Sequence, residues 1–447
     1  MPACPLRLPH LAALCLSMAL SAFLPDQAAA TQPHHHNHHP AAPGHKKHRH
    51  RHPAAHSAHP AAKGHHAVRS ATHGYAAKRA PDVSSPPHQP DNAAPVVPLQ
   101  SYAERLDTRS FISDMAERHG FDQHALLALF AQVSPNPRTL ALMRPVPAPP
   151  APNSTTQPAP PAPPPNWQAY RARFLQPARI RGGLQFWDQY ADALTRATQT
   201  HGVPAEIVVA IIGVETRYGH NTGSFPVIQA LATLAFDFPP RAAYFRSELE
   251  HFLLYCRENG IDPLRPLGSY AGAMGIPQFM PGSILQFATD FDGDGRIDLS
   301  GSAVDAIGSV ARFLTIHGWQ KKRALYYPAT LAEHADPAAL LAQGPKPTLT
   351  AADLKAHGID SPTPLPANEP LMLVDLPNGQ APTRYIIGTG NFYAITRYNR
   401  SFFYAMAVSE LAEVLHQQHV GSLEDPQLAL PGHAPGPATT PPPGARP

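Results

Sequence analysis

The stretch that decides the fold is PAEIVVAIIGVETRYG, Pro204–Gly219. Proline suits the first turn of a helix, and apolar side chains follow at nearly every position, so the stretch predicts a helix that lies deep in the core. Gly219 is the predicted C-terminal stop, because glycine readily adopts the left-handed conformation that ends many helices.

Glu215 is the acid near the end of this predicted helix. It follows Ile211 by four positions and Ile207 by eight, which places it on an inward face. Burial raises the pKa of a carboxyl group, and a glutamic acid that keeps its proton near neutral pH can act as a general acid. From spacing alone, an ion pair with Arg217 or a capping role at the helix end is the commoner outcome.

Helical periodicity extends on both sides of this stretch. The predicted helices are two or three within Ser101–Arg144, one around Leu184–Thr200 that Gly202 ends, and Val227–Phe236, Arg241–Asn259, Gly282–Ala288, Val304–His317 and Phe402–Gln417. Leu371–Leu376 and Thr383–Gly388 read as strands, and Asn391–Tyr398 as a strand or a loop. The predicted class is α+β and mostly α, in one region over 96–420 whose β-containing part covers about 324–390.

The N-terminus predicts export. Residues 1–30 read as a signal peptide, with Arg7 before an apolar stretch and Ala28–Ala30 as the cleavage site. The alternative is a lipoprotein acylated on Cys15, which is disfavoured because Leu14 stands where a small residue is usual. The predicted location is the periplasm, with no transmembrane segment.

Composition predicts that residues 31–95, 145–165 and 421–447 are disordered. The chain of 447 residues has 55 prolines and 27 histidines, many of them in these segments, where little apolar surface is available to offset chain entropy. The run HHHNHH, His34–His39, is suited to Zn, Ni or Cu, but a solvated tether is the simpler interpretation. A hydrophobic fraction of 43% is enough for a core elsewhere, and a net charge of +3 gives no electrostatic case for nucleic acid.

Three long motifs occur in order along the chain. They are GVETRYG (Gly213–Gly219), SYAGAMGIPQFMPGS (Ser269–Ser283) and NFYAITRYNRS (Asn391–Ser401). Together with Ala230–Leu254 and Asp305–Trp319, they closely resemble the B-type family of membrane-bound lytic murein transglycosylases. The resemblance covers about 140–415 apart from the proline-rich linker. It implies a lysozyme-like helical core with an accessory helical domain and a small β-containing domain.

The resemblance also implies an activity. Members of the family cleave the β-1,4 bond between N-acetylmuramic acid and N-acetylglucosamine in peptidoglycan without water, and leave a 1,6-anhydro sugar. Glu215 matches their single catalytic acid and base, whereas glycoside hydrolases generally use two carboxylates. The implied partners are peptidoglycan glycan strands, with other cell-wall enzymes as further candidates. The alternatives are a catalytically silent peptidoglycan-binding protein and a periplasmic metal-binding protein that uses the His-rich segment.

Further residues match substrate contacts of the same family. Gln278 matches a residue that hydrogen-bonds sugar near the scissile bond, and Ser269 lies in the same groove motif. The candidate groove aromatics are Tyr170, Tyr398 and Tyr393, while Phe279 packs against either sugar or the core. Where the family often has two arginines this chain has Pro240 and Arg241, so Arg241 alone is left for a peptide or lactyl carboxylate.

The segment TDFDGDGRIDLS, residues 289–300, opens like an EF-hand. Its candidate ligands are Asp290, Asp292, Asp294, the backbone carbonyl of Arg296, Asp298 and, as in the resembled family, Asp305. Gly301 stands at position twelve, where a bidentate glutamate is standard, so Asp305 is the available substitute. Convergent carboxylates repel one another without a cation, so the loop predicts a structural Ca²⁺ site, with an exposed acidic turn as the alternative. No organic cofactor is implied.

Overall fold

The computed structural model describes residues 101–143 and 163–424, of which 422–424 have a described backbone only. The helices are α1 (Leu106–His119), α2 (Gln123–Phe130), α3 (Pro137–Met143), α4 (Trp167–Arg171), α5 (Pro177–Gln189), α6 (Ala191–His201), α7 (Ala205–Thr216), α8 (Val227–Asp237), α9 (Ala242–Glu258), α10 (Pro281–Phe287), α11 (Ala303–Ile316), α12 (Pro337–Leu341), α13 (Ala351–Ala356), α14 (Gly390–Tyr398) and α15 (Phe402–Glu424). The strands are β1 (Phe225–Pro226), β2 (Leu267–Gly268), β3 (Tyr326–Pro328), β4 (Thr330–Leu331), β5 (Ile359–Asp360), β6 (Met372–Asn378) and β7 (Ala381–Gly388). The predicted α+β, mostly α class is confirmed.

Helix α7 lies at the centre of the main core, as its sequence predicts. Nine of its twelve residues are buried, and helices α5, α6, α11 and α15 pack around it. A helix that is apolar on every side gains from such enclosure, because each fully buried Val or Ile side chain stabilises the fold by about 1.5–3 kcal/mol. The end of α7 that carries Glu215 is therefore fixed by neighbours on several sides.

Helices α8 and α9 pack on each other, α9 also packs on α10, and α8 also packs on α3. Aromatic rings join the N-terminal helices to α8, with Phe111 and Phe130 both edge-on to Phe236 at 6.0 and 6.4 Å between centroids. This packing leaves α9 and α10 side by side along one wall of the cleft described below.

In the described part of the chain the strands form three small antiparallel sheets, of which the largest has the order β3-β7-β6. Side chains of β6 alternate, since successive residues of a strand point to opposite faces. Met372 and Val374 belong to the main core, whereas Leu373 packs with Ile387 in a second, smaller core that includes residues of α12, α13 and β5. The β6–β7 hairpin is thus a wall shared by two cores.

The tip of this hairpin fixes the start of α4. The backbone N–H of Gly379 donates to the carbonyl of Pro165 at 2.9 Å, and the N–H of Gln168 donates to Oδ1 of Asn378 at 3.1 Å. Glu410 of α15 forms ion pairs with Arg171 of α4 and Arg384 of β7. These contacts hold the short helix that carries Tyr170.

Three elements differ from the sequence predictions. Helix α7 ends at Thr216, before Gly219, because Arg217 and Tyr218 already adopt left-handed conformations with φ of 52° and 64°. Asn391–Tyr398 lies within helix α14, which the Thr389 side chain caps by accepting a hydrogen bond from Asn391 N. The helix predicted around 184–200 is two helices, α5 and α6, which meet at Tyr190, where φ and ψ of −116° and 27° interrupt the helical path.

Several sequence predictions fall on residues outside the described ranges. These are the signal peptide, the linker 31–95, most of the segment 145–165 and the tail from residue 425. The first residues of the predicted tail, 421–424, continue helix α15. Within the described residues, no single helix is long and apolar enough to cross a membrane; α6 and α7 reach that length and apolarity only as a pair, with a bend of 115° between them.

Candidate active site

A cleft opens at the end of α7 and is lined by residues of α9, α10, α11, α14 and the start of α15, together with residues of the loop 269–280. Seven of the residues singled out from the sequence line it, namely Glu215, Gln278, Ser269, Tyr170, Tyr398, Phe279 and Arg241. The eighth, Tyr393, does not line it; its hydroxyl lies 3.4 Å from Nη1 of Arg397, which does. Segments far apart in the sequence therefore converge on one groove.

Glu215 projects from the last turn of α7 into this cleft and is half-buried. Burial raises the pKa of its carboxyl group to about 7, an effect that a hydrogen bond from Tyr404 partly opposes. Among the described residues no ion pair to Glu215 occurs, and Arg217, the candidate partner, is exposed to solvent. The geometry therefore favours a proton-carrying acid over an ion-paired one.

Tyr404 is the contact of Glu215 that sequence reasoning missed. Its hydroxyl donates to Oε1 of Glu215 at 2.7 Å, and its ring stacks on Tyr398 with centroids 6.4 Å apart and an interplanar angle of 13°. Tyr404 begins the buried face of α15 and is 3% exposed. Its only sequence signal was a tyrosine on an otherwise apolar helix face, which packing alone explains equally well.

The segment after Glu215 holds the acid in place through an unusual backbone. Arg217 and Tyr218 both have positive φ, which costs non-glycine residues about 1–3 kcal/mol each and persists only where surroundings enforce it. The Thr216 hydroxyl donates to the carbonyl of Ile276 at 2.8 Å, which ties the end of α7 to the loop that carries Gln278. The Tyr218 ring lies against Gly213, where a Cβ would stand 2.5 Å from its hydroxyl oxygen.

The loop 269–280 is held mainly by its own hydrogen bonds. Ser269 Oγ accepts the N–H groups of Ala271 and Ala273 at 3.2 and 3.0 Å. Gln278, at a φ of 53°, donates its side-chain amide to the carbonyls of Thr222 and Gly275 at 3.0 and 2.9 Å. Its Oε1 has no hydrogen-bond partner among the described residues, so this oxygen is the part of Gln278 suited to a substrate hydroxyl.

The aromatic residues of the cleft differ in how much they offer a ligand. Phe279 is 2% exposed and packs between Phe313 and Tyr398, at 5.6 and 5.7 Å between centroids, so its role is mainly in the core. The Tyr398 hydroxyl donates to the carbonyl of Pro277 at 2.5 Å. Tyr170 is 8% exposed and stacks on Trp167. The hydroxyl of Tyr398 is thus engaged with protein, so its ring is the part that is left to contact a ligand in the cleft.

A second carboxylate, Glu248 of α9, also lines the cleft. It is 7% exposed, its Oε2 accepts the backbone N–H of Gly282 at 2.8 Å, and Tyr244 hydrogen-bonds to it. On the same face of α9, the guanidinium of Arg241 lies 4.4 Å from the Tyr244 ring centroid. Glu248 therefore fastens α10 to α9 by hydrogen bonds.

Two other acids near in sequence serve the fold outside the cleft. Asp237 accepts a hydrogen bond from Tyr102 at 2.5 Å and pairs with Arg105. Glu250 pairs with Arg118 at 2.8 Å and contacts His119 at 2.7 Å. Neither residue lines the cleft, so neither is placed to act on a ligand there.

The acidic loop follows α10 and brings three of the predicted metal ligands together. Carboxylate oxygens of Asp290, Asp292 and Asp305 lie within 4.8 Å of one another. The structure does not bring Asp294 and Asp298 into this group; Asp298 Oδ1 instead accepts the N–H groups of Ser300 and Gly301 at 2.9 and 2.8 Å.

Asp305 anchors this loop to α11. Its carboxylate accepts the backbone N–H groups of Phe291, Asp292 and Asp298 at 2.7, 3.2 and 2.9 Å. Burial raises the pKa of Asp305, and an oxygen-preferring cation beside it would favour its charged form. The group formed by Asp290, Asp292 and Asp305 offers carboxylate oxygens, the ligands that Ca²⁺ prefers, so the residues present fit that ion.

Comparisons with known proteins agree with this fold. Residues 104–413 match the model of the transglycosylase SLT domain family. The chain is 43% identical over 316 residues to membrane-bound lytic murein transglycosylase B of Escherichia coli (strain K12), and this match covers 70% of this chain and 84% of that protein.

Two solved structures are also similar. The Escherichia coli lytic transglycosylase Slt35 in complex with calcium has a TM-score of 0.61 and 40% identity, over 72% of this chain and 97% of that one. SltB3 from Pseudomonas aeruginosa in complex with NAG-anhNAM-pentapeptide has a TM-score of 0.58 and 30% identity, over 69% and 79%.

Proposed function

The chain belongs to the transglycosylase SLT domain family and is a lytic murein transglycosylase, and we propose that Glu215 is its single general acid and base. The observation that carries this assignment is the half-buried carboxyl group in the cleft, whose pKa burial raises to about 7. A pKa near the working pH suits a group that must first give and then accept a proton. Such an acid also favours catalysis over silent binding of peptidoglycan.

The proposed reaction uses this one carboxyl group twice. Protonated Glu215 donates to the glycosidic oxygen as the bond from that oxygen to C1 of N-acetylmuramic acid breaks. The C6 hydroxyl oxygen of the same sugar then bonds to C1, and the Glu215 carboxylate takes the hydroxyl proton. The products are a free N-acetylglucosamine end and a 1,6-anhydromuramic end, no water is consumed, and Glu215 is protonated again.

We assign substrate contacts to the residues that line the groove around Glu215. Gln278 Oε1 accepts a hydrogen bond from a sugar hydroxyl, and the rings of Tyr398 and Tyr170 offer apolar faces for sugar. Arg241 is the cation assigned to a peptide or lactyl carboxylate. Ser269 and Phe279 support the groove through the loop backbone and the core, and Tyr393 acts behind Arg397.

The product and the acid are tested together on purified peptidoglycan sacculi. Mass analysis is expected to find 1,6-anhydromuramic ends, lighter than reducing ends by one water. Glu215→Gln keeps the side-chain shape but not proton transfer, so turnover is expected to fall by roughly 10²–10⁴-fold while sacculus binding persists. The matched control is Glu250→Gln, which lies outside the cleft and is expected to keep most of the activity.

Two outcomes would overturn parts of this assignment. Reducing-end products would indicate a hydrolase, which generally needs a second catalytic carboxylate. Glu248 would then be the first candidate to test for that role. Near-normal turnover of Glu215→Gln would remove Glu215 from the chemistry.

We further propose that the acidic loop binds a structural Ca²⁺ through Asp290, Asp292 and Asp305. A relative of the same family has been solved in complex with calcium, and the three carboxylates converge here. Among the described contacts none of them forms an ion pair, although the charge of Arg196 acts on Asp292 at longer range. The ion would hold together the loop that joins α10, a wall of the cleft, to α11. The site has no part in the chemistry at Glu215.

We also propose the cellular setting and the chain organisation. Residues 1–30 act as a signal peptide that exports the enzyme to the periplasm, where its substrate is found. Residues 31–95 and 145–165 serve as linkers, and they and the tail from residue 425 flank or interrupt a catalytic region of about 96–424. The family match over 104–413 supports these boundaries.

A further inference from the structure

Arg179 of α5 holds the last turn of α7 by hydrogen bonds from its side chain. This side chain is 6% exposed, although arginine is rarely buried to that extent. Its Nη1 donates to the carbonyl of Gly213 and lies 3.5 Å from that of Val214. Its Nη2 lies 3.4 Å from the carbonyl of Arg173. The guanidinium therefore binds the backbone of the two residues that precede Glu215.

The same residue also holds the backbone that follows Glu215. The Tyr218 hydroxyl donates to the main-chain carbonyl of Arg179 at 2.9 Å. Tyr218 has a positive φ and must be kept in place by its surroundings. Arg179 thus acts on both sides of Glu215, through its side chain before the acid and through its carbonyl after it.

The chemistry of a helix end explains why a buried cation is useful at this point. The last carbonyls of a helix have no partner within the helix and carry a partial negative charge. A guanidinium offers several donors in a rigid fork, which fixes direction as well as distance. Arg179 does not line the cleft, but its guanidinium lies 5.1 Å from the ring of Phe174, which does.

We propose that Arg179 is a positioning residue for the transglycosylase reaction, which fixes the last turn of α7 so that Glu215 is directed at the glycosidic oxygen. The proposal rests on Glu215 being the acid and base. Because Arg179 contacts the backbone of α7 and does not line the cleft, its loss is expected to change the alignment of Glu215 and to leave the sugar contacts in place. A small misplacement of a catalytic group is enough to lower turnover by up to about 10²-fold.

The test is steady-state kinetics on soluble glycan fragments with variants of the full-length mature protein, at a temperature well below each melting point. Arg179→Met keeps an apolar stem but loses the fork, and is expected to lower kcat about 10–100-fold with KM within about twofold of wild type. Arg179→Lys retains a donor and is expected to recover part of kcat. Tyr218→Phe removes only the hydrogen bond to the Arg179 carbonyl, so a few-fold lower kcat is expected; this variant keeps the test open if Arg179→Met fails to fold.

Arg246→Met is the matched control. Arg246 also donates to a helix-end carbonyl, that of Ala235 at 3.1 Å, and also lies over a phenylalanine ring, although unlike Arg179 it is exposed to solvent. It does not line the cleft, and none of its described hydrogen bonds or ring contacts reaches α7. It is expected to lose stability without loss of kcat. The proposal is overturned if folded Arg179→Met keeps wild-type kcat, if KM alone rises, or if Arg246→Met loses kcat equally. An inactive Glu215→Gln beside a fully active Arg179→Met refutes the positioning role alone, whereas an active Glu215→Gln refutes the proposed function.

Discussion

At the residue scale, the protonation of Glu215, the proposed general acid, is expected to set the pH range of the enzyme. In the proposed reaction only the protonated form of Glu215 donates to the glycosidic oxygen, so kcat/KM is expected to fall as pH rises through about 7, the value to which burial raises its pKa. The groups that face this carboxyl from neighbouring elements are Tyr404 of α15 and Tyr398 of α14. Both tyrosines have pKa values raised by burial and remain neutral across this range, so neither supplies a charge that would offset the effect.

Tyr404→Phe is expected to move the alkaline limb of kcat/KM to higher pH. The Tyr404 hydroxyl stabilises the Glu215 carboxylate and so lowers its pKa; without it the pKa rises, and the proton is retained to higher pH. The measurement is a pH profile on soluble glycan fragments. Tyr393→Phe, outside the cleft, is the control and is expected to leave the limb in place. A limb that moves to lower pH in Tyr404→Phe would contradict this account of the site.

At the element scale, the acidic loop is expected to couple Ca²⁺ to stability. An ion that binds only the folded state raises the melting temperature as its concentration increases. Asp292→Asn is expected to abolish the rise, because Asp292 is exposed and belongs to the converging group, so its loss removes charge without opening the core. The control is Asp262→Asn, an exposed acid elsewhere. A melting curve that EDTA leaves unchanged, with no ion found by mass spectrometry, would leave only an acidic turn.

The sequence predicted elements well where one physical pattern dominates. The apolar run of α7, the Pro- and Gly-bounded helices and the two longer strands all follow from periodicity. The end of α7 does not follow from periodicity. Tertiary contacts, such as the hydrogen bond from the Tyr218 hydroxyl to the Arg179 carbonyl, hold Arg217 and Tyr218 in the left-handed conformation. Helix α14 was missed because its aromatic and β-branched residues have high strand propensity, while their burial in the core decided the outcome.

The candidate site was predictable only in part, for a related reason. Glu215 and Gln278 belong to local motifs, and the resemblance identified them. Tyr404 and Arg179 act through contacts with residues 189 and 34 positions away, and no local pattern marks such pairs. Ser269 lies in its predicted place in the cleft, but the hydrogen bonds that its oxygen accepts from the loop backbone could not be predicted from the motif.

At the scale of the whole molecule, the folded enzyme is expected not to need residues 31–95. The family match begins at residue 104, and among the described residues, which start at 101, the first member of the buried core is Tyr102. Deleting 31–95 is therefore expected to leave the melting temperature and the cleavage of soluble glycan fragments nearly unchanged. A longer deletion to residue 110 removes Tyr102, whose ring is fully buried and whose hydroxyl bonds to Asp237, and it is expected to lower the melting temperature. An unfolded product of the shorter deletion would contradict this boundary.

The hairpin β6–β7, whose two faces belong to different cores, has a consequence for how the molecule opens. Amide hydrogens exchange with solvent through local unfolding units, and those with fewer buried contacts open first. The smaller core around Leu354 and Ile359 is expected to open as one such unit, so amides of β5 and α13 exchange early. The amides of β6 and β7 are retained longer, because their other face remains packed on the main core. Early deuterium uptake would therefore be confined to the smaller core and would not extend past the hairpin. The groove at Glu215 would keep its shape during local unfolding of the smaller core.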